Sequence, residues 1–176
     1  MKYTYLLIAL LLSTLAVIKT VETVYHFEQV TFPNTQNKSS GNRILIVNSA
    51  HGILGGAELY SVTLYNNLVK NGHSVKFLIP KNSELEKKLT ELKISYYTYN
   101  KFVLLKSQIQ PGLYSAIYKI CEQDKIQIVH CNIHREVNPA KKVARKLPIK
   151  VVMTRHIPQE IGSTYLKNLD GVICVS

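Results

Sequence analysis

Residues 43–56 read RILIVNSAHGILGG, and Ala57 opens the continuation AELYSVTLYNNLVKNGHSVKFLIP. Ile44 to Val47 is a short aliphatic run bounded by polar residues, the pattern of a buried strand. The next nine residues hold three glycines, Gly52, Gly55 and Gly56. From Ala57 the period changes: Ala57, Tyr60, Ser61, Leu64, Leu68 and Val69 recur at three and four, which gives a helix one apolar face. Gly72 suits the C′ position that stops this helix, and Val75 to Ile79 reads as a second strand. The stretch is a βαβ unit. It sets the unpaired N–H groups of a helix N-terminus beside Gly55 and Gly56, where no side chains intervene, a suitable cradle for phosphate or carboxylate. The spacing is not G-x-G-x-x-G and no Lys-Ser/Thr follows the glycines, so neither the dinucleotide fingerprint nor a P-loop applies. A tight turn with a structural role alone is the competing reading.

The chain of 176 residues has room for one domain with a sizeable core. With 46% hydrophobic and 19% charged residues it reads as globular. Its formal charge of +11, from 22 Lys and Arg against 11 Asp and Glu, favours anionic partners. The lysines are scattered, with no arginine stripe or aromatic interleaving, which argues against nucleic acid. Cys121, Cys131 and Cys174 are odd in number and form no C-x-x-C pair, so reduced, buried thiols are expected.

Residues 1–21, MKYTYLLIALLLSTLAVIKTV, form a hydrophobic segment flanked by Lys2 and Lys19 and read as a signal-anchor helix or a signal peptide. Residues 22–42 read as a polar linker, with an Asn37-Lys38-Ser39 sequon, and residues 43–176 as the domain. Ser83 caps a short helix whose apolar face is Leu85, Leu89 and Leu92, and Ile94 to Tyr99 is a third strand, placed near an edge by its tyrosines. Lys101 to Gln110 has no legible pattern. Pro111 starts a helix running to about Asp124, with Leu113, Ile117, Ile120 and Cys121 inward. Ile126 to His130 is a fourth strand, followed by a loop that carries His130, Asn132, His134, Arg135 and Glu136. Pro139 begins a basic helix with Ala140, Val143, Ala144 and Leu147 inward, whose lysines face water or anionic lipid headgroups. Ile149 to Met153 is a fifth strand, Tyr165 to Leu169 a short helix, and Gly171 to Val175 a sixth strand.

The fold class expected is α/β: a single Rossmann-like open parallel sheet of about six strands with helices on both faces, preceded by a hydrophobic N-terminal helix. In a doubly wound order 3-2-1-4-5 the crevice opens where strands one and four diverge. That brings Asn48 to Gly56 beside His130 to Glu136, with His156 on the next strand end. His130 and His134 match no compact zinc spacing, and no metal or cofactor is expected. His156 is the leading catalytic candidate, since an imidazole there can hydrogen-bond a sugar hydroxyl or a phosphate. Gly55, Gly56, His130, His134, Arg135 and Arg155 are candidates for substrate or donor-phosphate binding. Glu58 and Asn132 are candidates for positioning, Glu58 reading equally well as a cap on the helix dipole.

The order of strand, loop, Gly55-Gly56-Ala57-Glu58, amphipathic helix, Gly72-His73-x-Val75 and second strand resembles the start of the N-terminal domain of glycosyltransferase family 4 enzymes, which have the two-domain GT-B fold. IQIVHCNIH, VVMTRH and LDGVICVS resemble that domain's later strands, with His156 at the Thr-x-His position. The resemblance implies retaining transfer of a sugar from a nucleotide-sugar donor to a glycan or lipid-linked acceptor, without a bound metal. It places Gly55 and Gly56 near the donor diphosphate and His156 near the donor sugar. It also implies a second, C-terminal donor domain, which residues 43–176 do not encode, so a partner subunit or donor domain is expected and the isolated chain is expected to be inactive. The same chemistry favours the cytoplasmic face of the inner membrane, in contact with an anionic membrane surface, whereas the α-amino group tips the N-terminus inside and the domain to the outer side, so the topology stays open. A non-catalytic, membrane-anchored binding or remnant domain of the same fold is the alternative.

Overall fold

The computed structural model describes residues 27–32, 41–50, 52–100, 111–156 and 166–175. In chain order these form strands β1 (Phe27–Val30) and β2 (Arg43–Val47), helix α1 (Gly56–Lys70), strand β3 (Ser74–Pro80), helix α2 (Glu84–Glu91), strand β4 (Tyr96–Tyr99) and helix α3 (Pro111–Gln123). Strand β5 (Ile128–Cys131), a 3-10 turn (His134–Glu136), helix α4 (Val137–Ala144) and strands β6 (Lys150–Arg155) and β7 (Gly171–Cys174) complete them. One seven-stranded sheet runs β1-β4-β3-β2-β5-β6-β7, parallel except for β1, which pairs antiparallel with β4. The expected doubly wound order of the inner strands is present, with β2 between β3 and β5.

Alternation along the central strands divides the core. Leu45 and Val47 face α3 and α4, together with Leu78, Val129 and Met153. Ile44 and Ile46 face the opposite way, with Phe77 and Ile79, towards α1 and α2. Leu45, Ile46, Val47, Phe77 and Leu78 are fully buried, as strands covered on both faces require. Leu113, Ile117, Ile120 and Cys121 pack inward from α3, and Ala140 and Val143 from α4, as their spacing predicts.

Several expectations are corrected. The sheet has seven strands, because Phe27–Val30, in the stretch read as a linker, forms β1. Strand β4 lies near the edge, as its tyrosines suggest, but β1 covers its outer side: Tyr96, Tyr97 and Tyr99 are buried, and their hydroxyls are met from within. The Tyr97 hydroxyl donates to Asp124 at 2.7 Å, and Asp124 is also paired with Lys76 at 2.9 Å. Thr90 lies 2.8 Å from the Tyr96 hydroxyl. Leu92 falls at the C-cap of α2 and is exposed, because the helix ends one residue earlier than its apolar pattern. Helix α4 starts at Val137, ahead of Pro139. Cys174 is exposed on β7, whereas Cys121 and Cys131 are buried, and all three are free thiols. Residues 101–110, the sequon and the predicted helix 165–169, except its end from Leu166, lie outside the described residues.

The expected membrane association is also corrected. Among the described residues no helix is long and apolar enough to cross a membrane. The segment 1–21, on which the signal-anchor reading rested, lies outside them. Neither the anchor nor the cytoplasmic-face assignment stands.

At the amino end of β2 the chain makes one close approach. The Gly41 N–H donates to Gly72 O at 3.1 Å, and Asn42 N–H donates to His73 Nδ1 at 3.0 Å. A Cβ at Gly41 would lie 2.5 Å from His73 Nδ1 and 2.6 Å from the Gly72 carbonyl oxygen, so backbone as well as side chain must move. At Gly52 a Cβ meets nothing. Gly41→Ala is therefore expected to cost about 1–3 kcal/mol in urea denaturation, whereas Gly52→Ala leaves the midpoint within error.

Candidate functional site

The carboxyl ends of β2, β5 and β6 meet the amino end of α1, at the point where the parallel sheet splits between β2 and β5. Gly55 is the N-cap of α1, and no side chain caps this helix. Glu58 reaches back instead, accepting from the Gly55 N–H at 2.8 Å, so one orphan donor is met and the helix dipole is complemented. A Cβ at Gly55 would meet the Glu58 carboxylate at 3.1 Å, but one at Gly56 would meet nothing within 4 Å. Gly56 is exposed, so nothing in the chain's own packing needs a glycine there.

Asn132 ties the three elements together. It is fully buried, its Nδ2 donates to Ala57 O in the first turn of α1 at 3.1 Å, and its Oδ1 lies 3.1 Å from His156 Nε2 beyond β6. The His156 ring is half-buried and meets Tyr60 of α1 edge-on, with centroids 5.1 Å apart. Burial lowers the pKa of His156, while a hydrogen bond to the Asn132 backbone and the Glu58 charge act in the opposite sense. Glu58, Asn132 and His156, three candidates from separate stretches, are thus brought together, with Tyr60 added.

The remaining candidates are placed differently. His130 lies in the interior at 3% exposure, with Nε2 2.7 Å from Thr154 Oγ1 and Nδ1 buried without a hydrogen-bond partner. Burial and the neighbouring His156 lower its pKa to about 4, so the ring is neutral. Its Nε2–H donating to Thr154 leaves Nδ1 as an unmet acceptor, the cheaper of the two tautomers. His134 and Arg135 are exposed on the 3-10 turn, and Arg155 is half-buried at the end of β6. Among the described residues no group of three or more His, Cys, Asp or Glu gathers as a metal site.

Glu136 is the residue that sequence reasoning undervalued. It is fully buried, and its carboxylate accepts from Ser49 N at 2.5 Å, Asn132 N at 2.7 Å and Ile133 N at 3.1 Å. Burial raises its pKa to about 7 against the lowering effect of these bonds. The Tyr99 hydroxyl beside it is raised as well, first by its own burial and then by the Glu136 charge. No capping motif marks it in the sequence, since Ile133, three residues earlier, has no side-chain acceptor, and only its place in the loop after β5 singles it out. Tyr60 was hidden by its place in the apolar stripe of α1.

An open sheet with its polar groups gathered at the carboxyl ends of the central strands, beside a glycine-started helix, is the arrangement of a GT-B glycosyltransferase domain of the N-terminal type. The chain belongs to glycosyltransferase family 4, whose family model matches residues 54–176. Among solved structures it is similar to Acinetobacter baumannii MurG, with a TM-score of 0.59 and 16% identity over 76% of this chain and 41% of that one. A glycosyltransferase from Rickettsia africae ESF-5 gives 0.57 and 19% over 78% of this chain and 37% of that one. Anabaena Alr3699/HepE in complex with UDP-glucose gives 0.56 and 13% over 74% and 36%. At these identities the likeness is one of fold, and the chain spans about two fifths of the length of these structures. No curated protein sequence matches it.

Glu136 and His130 have opposite pH linkages. Glu136 has a folded pKa raised from 4.5 to about 7, so its contribution to stability is full below pH 4.5 and lost as pH rises through 7. His130 has a folded pKa lowered from 6.5 to about 4, so its contribution is full above pH 6.5 and lost as pH falls through 4. In the shared window the two effects offset. Relative to wild type, Glu136→Gln is expected to lose stability as pH falls from 6.5 towards 4.5, and His130→Gln to gain it, each by up to about 1.4 kcal/mol per pH unit. Urea titrations across that window check both signs.

Proposed function

We propose that this domain is the acceptor-side half of a retaining glycosyltransferase that moves a sugar from a nucleotide-sugar donor to a glycan or lipid-linked acceptor. The observation that carries the reading is the convergence at the β2/β5 split of an uncapped helix N-terminus, open space over Gly56, and His156 held by Asn132. The free N–H groups of α1 and the side-chain-free Gly56 suit the donor diphosphate, with Gly55 setting the turn. His156 then lies at the donor sugar, with Glu58 and Asn132 positioning the first turn of α1 and the imidazole. Arg155 is a candidate to balance charge on the leaving diphosphate, and His134 and Arg135 are candidates for acceptor or phosphate contacts from the exposed turn. His130 supports the site from beneath through Thr154. The family membership and the UDP-glucose held by the similar Anabaena protein support a UDP-type donor. The donor-side half is to be supplied by a further domain or a partner subunit, and transfer needs both.

The reading is tested by calorimetric titration with UDP and UDP-glucose. Wild type is expected to bind UDP saturably and weakly. Gly56→Ala, whose methyl fills the open space, is expected to lose at least about tenfold in affinity while stability stays level or rises by up to about 1 kcal/mol from helix propensity. Absence of saturable binding, or full affinity in Gly56→Ala, overturns the placement of the diphosphate.

A further inference from the structure

We infer that Glu136 is a positioning residue of this site, which acts through Asn132 to fix which nitrogen of His156 carries the proton. The geometry belongs to the chain itself; its functional meaning rests on the proposed placement of His156 at the donor sugar.

The protonation follows from what each partner can accept. Ala57 O only accepts, so the Asn132 atom 3.1 Å away must be the amide nitrogen. That turns Oδ1 towards His156 Nε2, also at 3.1 Å. An amide oxygen accepts and never donates, so Nε2 carries the hydrogen. Burial lowers the pKa of the ring, favouring the neutral form, and a neutral imidazole protonated at Nε2 has its lone pair on Nδ1. His156 therefore offers a ligand an acceptor at Nδ1. It takes a hydrogen bond from a hydroxyl and is mismatched to a phosphate oxygen, which divides the site into a phosphate end at the α1 amides and a hydroxyl end at His156.

Asn132 holds this orientation because its backbone is fixed in turn. Its N–H is shared between Val47 O at 3.0 Å and Glu136 Oε2 at 2.7 Å. The same carboxylate oxygen accepts from Ile133 N, and Oε1 takes Ser49 N. One fully buried carboxylate thus sets the loop after β2 and the loop after β5 against each other. A glutamine keeps the shape but turns an NH2 towards at least one backbone N–H, so it cannot accept from both sides.

The test reads the His156 ring by long-range 1H–15N correlation on the uniformly labelled chain, with UDP titrated in parallel. Wild type is expected to show a single Nε2–H tautomer. Glu136→Gln and Asn132→Ala are each expected to give a mixture of tautomers, and the double variant a mixture no more advanced than Asn132→Ala alone. Leu113→Ala, which removes a fully buried side chain from the same sheet face, is the control for general loosening and is expected to keep the fixed tautomer. A fixed tautomer in Glu136→Gln, or equal mixing in Leu113→Ala, overturns the inference. Should Glu136→Gln not fold, Asn132→Ala decides: an unchanged Nε2–H tautomer there overturns it. Failure of wild type to bind UDP counts against the proposed function and leaves the tautomer result standing. UDP binding with an unmoved tautomer in Glu136→Gln counts against the positioning role alone.

Discussion

A carboxylate in the interior holds the upper rim of this domain together. Glu136 gives up its water to accept three backbone N–H bonds, and those amides belong to the two loops that diverge from β2 and β5. An uncompensated buried carboxylate costs several kcal/mol, so removing any donor is expected to be felt. The parallel sheet alone does not fix these loops. Its ladder ends at Val47 and Cys131, and beyond that point the chains are free to splay. Glu136 continues the coupling past the last ladder bond, and Asn132 extends it to α1 and His156.

The two sheet faces are built differently, and this bears on the site. The face towards α3 and α4 is densely apolar, with Val137, Ala140 and Val143 following directly on Glu136. Helix α4 is thereby anchored at the residue that clamps the loops. On the other face α1 has only Ser61 and Val62 buried. Ser61 returns its hydroxyl to Glu58 O at 2.6 Å and lies near Asn48, so the first turns of α1 are held by polar contacts more than by packing. A helix so held can present its N-terminus as a ligand surface without being committed to the core.

The inner sheet was legible in the sequence because both of its signals are local. Runs such as RILIV and VKFLI can satisfy only a strand covered on two sides, and the helices between them carry a clear three-four period. Strand β1 was not legible: FEQV is short, half-polar and set among linker-like residues, and it becomes a strand only because β4 offers an edge. The tyrosines of β4 marked a strand near the edge without showing that they are buried. Their hydroxyls suggest solvent, yet Asp124 and Thr90, remote or on another element, meet them in the interior. At the site, Glu58, Asn132 and His156 were legible because strand order brings their loops to one rim. The importance of Glu136 was not, since a buried ion cannot be told from a surface one until its donors are known.

Strand β1 also sets a timetable. Phe27 pairs with Tyr99 and Val30 with Tyr96, so roughly 70 residues separate the partners. At ribosomal rates of about 5–20 residues per second, β1 leaves the exit tunnel several seconds before β4 exists to receive it. The β2/β5 pairing waits comparably, since Ile44 pairs with Ile128, whereas β3, β4 and β6 each close on the strand made just before them. The antiparallel strand, first in chain order among the described elements, docks only once β4 has been made. Until it does, the edge of β4 is an open template for other chains, and the speed of that closure sets how long that edge is exposed to mispairing.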